Sequence, residues 1–324
     1  MKNIVIIGAG QLGSRHLQGV CKSNIEIKIE VVDPSELSRD IAKQRYEEVE
    51  NNNFVKDVFF FDSIAKLSDD IDLVIIATNA DVRAKIITEL LTTKNVKNMV
   101  LEKVLFQTVE EYTCIDSLLE KTKTECWVNH PRRMFPFYQK LKQKLKGVKR
   151  VSYSFQGGAW GLGCNGLHFI DHLSYLVEST DLVLDSSLLD NKIYNAKREG
   201  YIEFNGLLTG QLSQHIFSLY STPDEAAPVL TISSDRLVVI MDEAKATIRM
   251  AKKENNWEWE EWNEKITFFQ SELSDKLIQG ILLDKKCSLP TYKEAMRLHV
   301  PFIECLLNHV TKVTGKENKT CLVT

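Results

Sequence analysis

Three groups of residues have types and spacings suited to chemistry. The segment Gly8-Ala9-Gly10-Gln11-Leu12-Gly13 has the pattern of a pyrophosphate cradle. Gly8 permits a tight turn, Gly10 lets the backbone approach a phosphate, and Gly13 lets helix and strand pack closely. The N–H groups of the helix opening there, Gln11 and Leu12 included, would face the phosphate charge. Asp33 stands 20 residues after Gly13, where a carboxylate accepts hydrogen bonds from a ribose diol and repels a 2′-phosphate. NAD is therefore expected over NADP, with Arg39 and Arg45 nearby to moderate the repulsion. The second group is Lys103, directly after the apolar run Met99–Leu101. The third is His168, Asp171 and His172, whose histidines are four apart and so share a helix face. Moving a hydride between an alcohol carbon and a nicotinamide requires a group to carry the hydroxyl proton, and lysine and histidine both do this.

Elements must exist to hold these groups. Over the first 125 residues, apolar runs at Ile4–Ile7, Ile27–Val32, Val58–Phe61, Leu73–Ala77 and Met99–Leu101 alternate with amphipathic stretches. That alternation predicts parallel strands buried on both faces with crossover helices, a doubly wound α/β domain. It places Lys103 at the carboxyl edge of the sheet, where such folds bind ligands. Cys126–Asn129 reads as a further strand and Tyr138–Leu145 as a helix. Beyond them, Val148–Gly157 reads as a strand and Leu167–Val177 as a helix. Tyr201–Leu207, Gln211–Leu219, Val229–Ile232, Leu237–Met241 and Ala246–Met250 then follow as consecutive strands, predicting an antiparallel sheet. A helix over Tyr292–Val310 closes the chain. The expected domains are 1–125 and 126–324, with the last helix packing back on the first domain.

Composition narrows the partners. The chain has 324 residues, 41 basic and 44 acidic side chains and a net charge of −3, so nothing favours nucleic acid or an anionic membrane. No apolar run reaches the length of a membrane span. The first residues enter a strand at once, without the pattern of an export signal. Seven scattered cysteines contain no Cys-x-x-Cys, so reduced thiols and a cytoplasmic location are expected. Cys164, His168 and His172 invite a zinc reading, but only the two histidines are assured a common face, and no metal is expected.

Taken together, Gly8 to Gly13 with His16, Ala77-Thr78-Asn79, Glu102-Lys103-Val104, Arg132-Arg133-x-x-Pro136, the segment Gly166 to Asp171, and Leu289-Pro290-Thr291-Tyr292-x-Glu-Ala295 resemble the Gfo/Idh/MocA oxidoreductases. The resemblance implies a Rossmann domain followed by an α+β domain with a large open antiparallel sheet that forms homodimers or homotetramers. It also implies sugar, cyclitol or nucleotide-sugar substrates. By the same resemblance, Lys103 and His168 are catalytic and Asp171 assists them, while Thr78, Asn79 and Glu102 border the cofactor. The chain departs from the family at Val104, which replaces a proline. It departs again at Cys164, which stands where many members have aspartate, and at Arg83, where relatives often carry histidine.

The resulting expectation is an NAD(H)-dependent oxidoreductase of a sugar, sugar phosphate or nucleotide sugar. Its substrate set is Lys103, Arg132, Trp160, Cys164, Asn165, His168, Asp171 and His172. Trp160 lies in a flexible glycine-rich stretch, Gly157–Gly163, which reads equally as a segment closing over a substrate and as a plain connection between strand and helix. Arg132 and Arg133 are candidates to clamp a phosphate, with a surface pair as the plain reading. Trp257, Trp259 and Trp262 are expected in the core rather than at a sugar. Rival readings are a glycoside-cleaving or amino-sugar-forming relative, and a catalytically idle dinucleotide sensor or partner subunit.

Overall fold

The computed structural model describes residues 1–324, which divide into two compact units. The first comprises residues 1–106, 110–131 and 268–293, and the second 107–109, 132–267 and 294–324. The boundary thus falls beyond residue 125, and the first unit recovers a late segment that the sequence reading left in the second. Residues 292 and 293 of the last helix belong to the first unit and the remainder to the second.

In the first unit, β1 (Lys2–Ile7), β2 (Ile27–Val32), β3 (Val55–Phe61), β4 (Leu73–Ile76), β5 (Asn98–Leu101) and β6 (Glu125–Val128) form one sheet. Their spatial order is 3-2-1-4-5-6 and every pairing is parallel, the order of a dinucleotide-binding fold. Helices α1 (Gln11–Val20), α2 (Glu36–Glu47), α3 (Ala80–Thr93) and α4 (Val109–Thr122) separate the strands. The runs Ile4–Ile7 and Leu73–Ile76 are buried throughout, as strands covered on both faces must be.

The late segment of this unit contains a helical turn, Gln270–Glu272, and a short helix, Ser274–Gln279. It lies against α1 at Gly19, where a Cβ would stand 2.8 Å from the Ser274 Cβ and 3.1 Å from the Gln270 carbonyl oxygen. Its mixed pattern, with few apolar residues at helical spacing, carries no periodic signal in the sequence.

The second unit opens with α5 (Pro136–Leu145), which has proline at its first turn. An eight-stranded sheet follows: β7 (Val151–Gly158), then, after α6 (Leu162–Val177), β8 (Leu182–Leu189). A two-stranded hairpin, β9 (Tyr194–Asn195) and β10 (Ile202–Glu203), stands apart from it. The sheet continues with β11 (Gly206–Leu212), β12 (His215–Thr222), β13 (Val229–Ser234), β14 (Leu237–Asp242), β15 (Thr247–Lys252) and β16 (Trp259–Asn263). Its order is 8-11-12-7-13-14-15-16, antiparallel except where β12 pairs with β7. Alternate residues of β7 and β12 are buried. One face therefore packs under α6, with Phe155 stacked on Phe169 at 3.8 Å, while the other presents Val183 and Ile216.

Several sequence expectations are corrected here. The strands expected over Tyr201–Leu207 and Gln211–Leu219 are displaced. The chain turns at Ser213, whose φ is 51°, without the Gly, Pro or Asn that marks turns in sequence. Strand β8 went unread. The helix of His168 starts at Leu162 rather than Leu167, because its two early glycines conceal it. Trp257 and Trp259 are exposed on or beside the edge strand rather than in the core. The stretch Gly157–Gly163 is fixed rather than flexible. Gly158 N–H donates to Ala226 O, Ala159 N–H to Thr222 O, and a Cβ on Gly158 would come within 2.3 Å of Asp224 O.

Gly19→Val removes no polar partner but forces atoms into the contact with residues 270–274. Equilibrium urea unfolding is expected to show a loss of about 2–3 kcal/mol, and unchanged stability would show that this contact is not close-packed.

Candidate functional site

In the first unit the glycine cradle has the form its pattern predicts. Gly8 has φ 93°, a conformation that favours glycine, and a Cβ on Gly13 would lie 1.7 Å from Gly8 O. Gly10 differs: a Cβ there meets nothing within 4 Å, so the space beside its backbone is open to a ligand. Gly10 caps α1, whose first turn holds no acidic residue and receives no side-chain cap. The first helical amides and the positive dipole end thus suit a phosphate. Asp33 Oδ2 accepts from Ala9 N–H at 2.7 Å and Oδ1 from Ser35 N–H at 2.9 Å. These bonds aim the carboxylate and leave further lone pairs for ribose hydroxyls. Arg39 donates to the carbonyls of Asp33 and Pro34, at 2.6 and 3.0 Å. Arg45 donates to the Gln11 carbonyl at 3.0 Å, to the Gln11 side chain at 2.5 Å, and to Ser14 Oγ. The residues present fit a dinucleotide whose diphosphate lies at Gly10 to Gly13.

Behind the cradle lies a closed ring of buried polar side chains. Glu102 Oε1 accepts from Asn129 Nδ2 at 2.5 Å and pairs with His16 Nε2 at 2.9 Å. His16 Nδ1 meets Ser274 Oγ at 2.9 Å, Gln270 Nε2 donates to Ser274 Oγ at 3.1 Å, and Asn129 Nδ2 donates to Gln270 Oε1 at 2.8 Å. Burial alone would raise the pKa of Glu102. The His16 hydrogen bond and charge, then the Asn129 bond and the Lys103 charge, outweigh it and hold the carboxyl below its usual range. Glu102, expected at the cofactor, is 4% exposed and serves this network. Lys103, the next residue, is half-buried.

Arg83 was noticed in sequence only as a departure. It is buried and donates to the carbonyls of Thr78 and Val104, and to that of Leu105 at 2.8 Å. One guanidinium thus holds both the Thr78–Asn79 loop and the loop that follows Lys103. The Lys103–Val104 peptide is cis.

In the second unit the expected substrate residues separate into two sets. Asp171 is 1% exposed and gripped by Arg133, whose Nε and Nη2 donate to its carboxylate at 2.7–3.2 Å. Burial works against the Arg133 charge, but Asp171 outweighs it and raises the guanidinium's pKa. Arg132 forms a two-point pair with Glu243, at 3.2 and 2.6 Å, lies 4.4 Å from the Phe169 ring centre, and shares Glu243 with Tyr138. Neither arginine is a bare phosphate clamp, contrary to the functional expectation. His172 is fully buried. Its Nδ1 meets Tyr153 Oη at 3.0 Å, and burial, then Arg132 and Arg133, push its pKa well below normal, so it is neutral. His172 and Asp171 therefore present no open surface to a substrate.

The other set is accessible. Cys164, Asn165 and His168 are the half-exposed positions between Leu162 and Asp171, and their spacing puts them on one stripe of α6. Cys164 Sγ donates to Thr324 O at 2.8 Å. Trp160, Cys164 and Asn165 line a cleft of about 610 Å³ within this unit, facing the β9–β10 hairpin. Glu203 of that hairpin accepts from the amides of Gly163 and Cys164, at 2.7 and 2.9 Å, and so caps α6. The hairpin was missed in sequence because its two-residue strands carry no alternation, although the basic pair Lys197-Arg198 was a visible signal.

A parallel 3-2-1-4-5-6 sheet with a glycine cradle and an aimed Asp33 defines a dinucleotide-binding protein. Residues 2–130 match the sequence profile of the oxidoreductase family with an NAD-binding Rossmann fold, GFO_IDH_MocA. Over that stretch the chain is similar to the Gfo/Idh/MocA family, in line with the motifs at Gly8–Gly13, Ala77–Asn79 and Glu102–Val104. Among curated proteins, no relative matches by sequence. Solved structures match over almost the whole chain. A Gfo/Idh/MocA family oxidoreductase from Vibrio cholerae has 16% identity and a TM-score of 0.70, over 98% of this chain and 100% of that one. UDP-N-acetylglucosamine 3-dehydrogenase from Acidithiobacillus ferrooxidans has 12% identity and a TM-score of 0.68, over 94% and 96%. A super-repressor mutant of Gal80p from Saccharomyces cerevisiae has 14% identity and a TM-score of 0.72, over 96% of each chain. At these identities the likeness is one of fold. No helix is long and apolar enough to cross a membrane.

Glu102→Gln is expected to lower stability by about 2–4 kcal/mol at neutral pH, because it leaves the buried ring half satisfied. A depressed folded-state pKa contributes stability above the unfolded value of about 4.3, and that stability is lost as pH falls through the folded value. The gap between variant and wild type should therefore narrow in denaturant melts below about pH 4; a gap independent of pH would refute the pairing.

Proposed function

We propose that the chain is an NAD(H)-dependent oxidoreductase that interconverts a carbinol and a ketone carbon of a sugar, sugar phosphate or nucleotide sugar. The observation that carries this reading is the open, uncapped glycine cradle with Asp33 fixed at its side. Asp33 accepts ribose hydroxyls and disfavours a 2′-phosphate, while Arg39 and Arg45 are already turned to carbonyl and side-chain oxygens. The bound nicotinamide supplies or accepts the hydride. Lys103 and His168 hold and move the hydroxyl proton, with Thr78 and Asn79 bordering the cofactor. Glu102 and Arg83 act from behind, by fixing the segments that bear Lys103 and Thr78. Asp171 acts on the helix through Arg133 rather than on the substrate. The open sheet face with Val183 and Ile216 supports a homodimer or homotetramer.

A second reading is a dinucleotide-binding protein without turnover. It is favoured by the enclosure of Asp171 and His172 and by cysteine at position 164. The two readings separate at Lys103. Lys103→Met should lower turnover of reduced or oxidised nicotinamide by about 100-fold or more, with NADH binding intact in calorimetry. A panel of sugars and sugar nucleotides that yields no absorbance change with the wild type would favour the idle protein.

Selective binding to the folded state raises the melting temperature. NADH should raise it more than NADPH at equal concentration, and Asp33→Ser should narrow the difference. Equal shifts in the wild type would remove the role given to Asp33.

A further inference from the structure

The chain that follows the last helix, Tyr292–Thr314, leaves the core and then returns to it. Residues 315–320 are Gly-Lys-Glu-Asn-Lys-Thr, all exposed, and their hydrogen bonds reach no further back than Thr311. Burial then resumes, with Cys321 at 0% and Val323 at 1% exposure. Cys321 N–H donates to the carbonyl of Gln107 at 2.8 Å, and Gln107 Nε2 donates to Val323 O at 3.2 Å. Ile202 N–H donates to Leu322 O at 2.8 Å, which seats the segment beside β10 of the hairpin. Val323 lies on the first turn of α6, where a Cβ on Gly163 would stand 3.1 Å from its Cγ1. Thr324 O accepts from the Cys164 thiol, and Thr324 lines the cleft with Trp160, Cys164 and Asn165. All these residues belong to the second unit.

The forces that hold this segment are few. Two apolar side chains and a handful of hydrogen bonds are set against the conformational entropy of residues 315–324. No strand or helix runs through those residues, so they can leave without disturbing the sheet or α6. Segments with so little buried surface open locally at a lower free energy than the whole unit.

We propose that Cys321–Thr324 is a releasable strap that closes one side of the cleft, and that its departure is the step that admits a ligand to Cys164 and Asn165 on α6. That this ligand is the oxidoreductase substrate rests on the reading above; the strap itself does not. A ligand that needs the open form binds with an apparent affinity scaled by the fraction of molecules whose strap is away. Val323 therefore sets how readily the cleft fills.

The test is cysteine labelling of the full chain, read site by site by mass spectrometry, with unfolding followed in parallel by circular dichroism. Burial pushes the Cys321 thiol up to about 12, so iodoacetamide reaches it as a reactive group only after the strap leaves. Cys114, which is exposed, marks immediate reaction. Urea dependence scales with the surface uncovered, so Cys321 should react below the unfolding transition with a far shallower urea slope than unfolding itself. Val323→Asp should speed that reaction at least about tenfold, and Val323→Ala by less, with the native spectrum retained. Fluorescein maleimide, a bulkier reagent, should reach Cys164 faster in the same order. Cys321 labelling that follows the steep urea dependence of unfolding would overturn the release, and Cys164 labelling indifferent to both Val323 variants would overturn the control of access. The NADH thermal shift reports the cradle in the first unit and should be the same in all three proteins. Its absence from all of them would remove the oxidoreductase reading and leave the strap standing on the labelling rates.

Discussion

A carboxylate enclosed in a protein interior must be matched by donors, because stranding it costs several kcal/mol. Glu102 imposes that condition on the first unit. Its partners come from α1 (His16) and from the residue after β6 (Asn129), and the ring closes through Gln270 and Ser274 on the late segment. Apolar burial explains why the parallel sheet forms, but it is non-directional and would tolerate small slides of α1 along it. The ring is directional. It fixes α1, hence the glycine cradle at its start, relative to the end of β5, hence Lys103. The close approach at Gly19 follows from the same requirement, since Ser274 reaches His16 only if the late segment lies directly on the helix.

Arg83 extends this principle to the other side of the cofactor region. In sequence, Arg83 and Val104 are two unrelated departures from a family pattern. In the structure they meet, because the buried guanidinium takes the carbonyls of Val104, Leu105 and Thr78 as its acceptors. A proline would restrict the loop through its own ring; here the loop is also held from outside, through hydrogen bonds to a charged donor. These bonds are stronger than neutral ones and carry more geometric information. The loops bordering Thr78 and Lys103 are therefore coupled to each other through one side chain.

The first unit was legible in sequence because its determinants are local. Continuous apolar runs specify strands buried on both faces, and a glycine with a left-handed φ or no room for a Cβ leaves its mark at a fixed position. The ring around Glu102 was not legible, since its pairs lie as far apart as His16 and Ser274 and only the fold joins them. The same holds for Arg132 with Glu243: the arginine suggested a ligand clamp, and its actual acceptor comes from a turn after β14. In the sheet of the second unit, alternation was readable for β13 to β15. It failed at β11 and β12, where Gly210 sits mid-strand beneath the Phe217 ring and the turn at Ser213 has no glycine.

Helix α6 shows how a single element divides between site and core. Cys164, Asn165 and His168 lie on its half-exposed stripe, and the next position on that stripe, His172, passes beneath Tyr138 and Tyr153. Sequence spacing alone gives both histidines the same face and therefore the same candidacy. Depth separates them: a fully enclosed imidazole beside two arginines stays neutral and packs, whereas one turn earlier the ring retains access to solvent. Asp171, at the flank of the stripe, is held in the interior by Arg133, which anchors the helix beneath the accessible turn. The half-exposed polar side chains at the start of α6 are therefore confined to its first two turns, and the element opposite them bounds the cleft. The opposing element is the hairpin that supplies Glu203 to the α6 amides, so the contact that caps the helix also sets the width of the cleft.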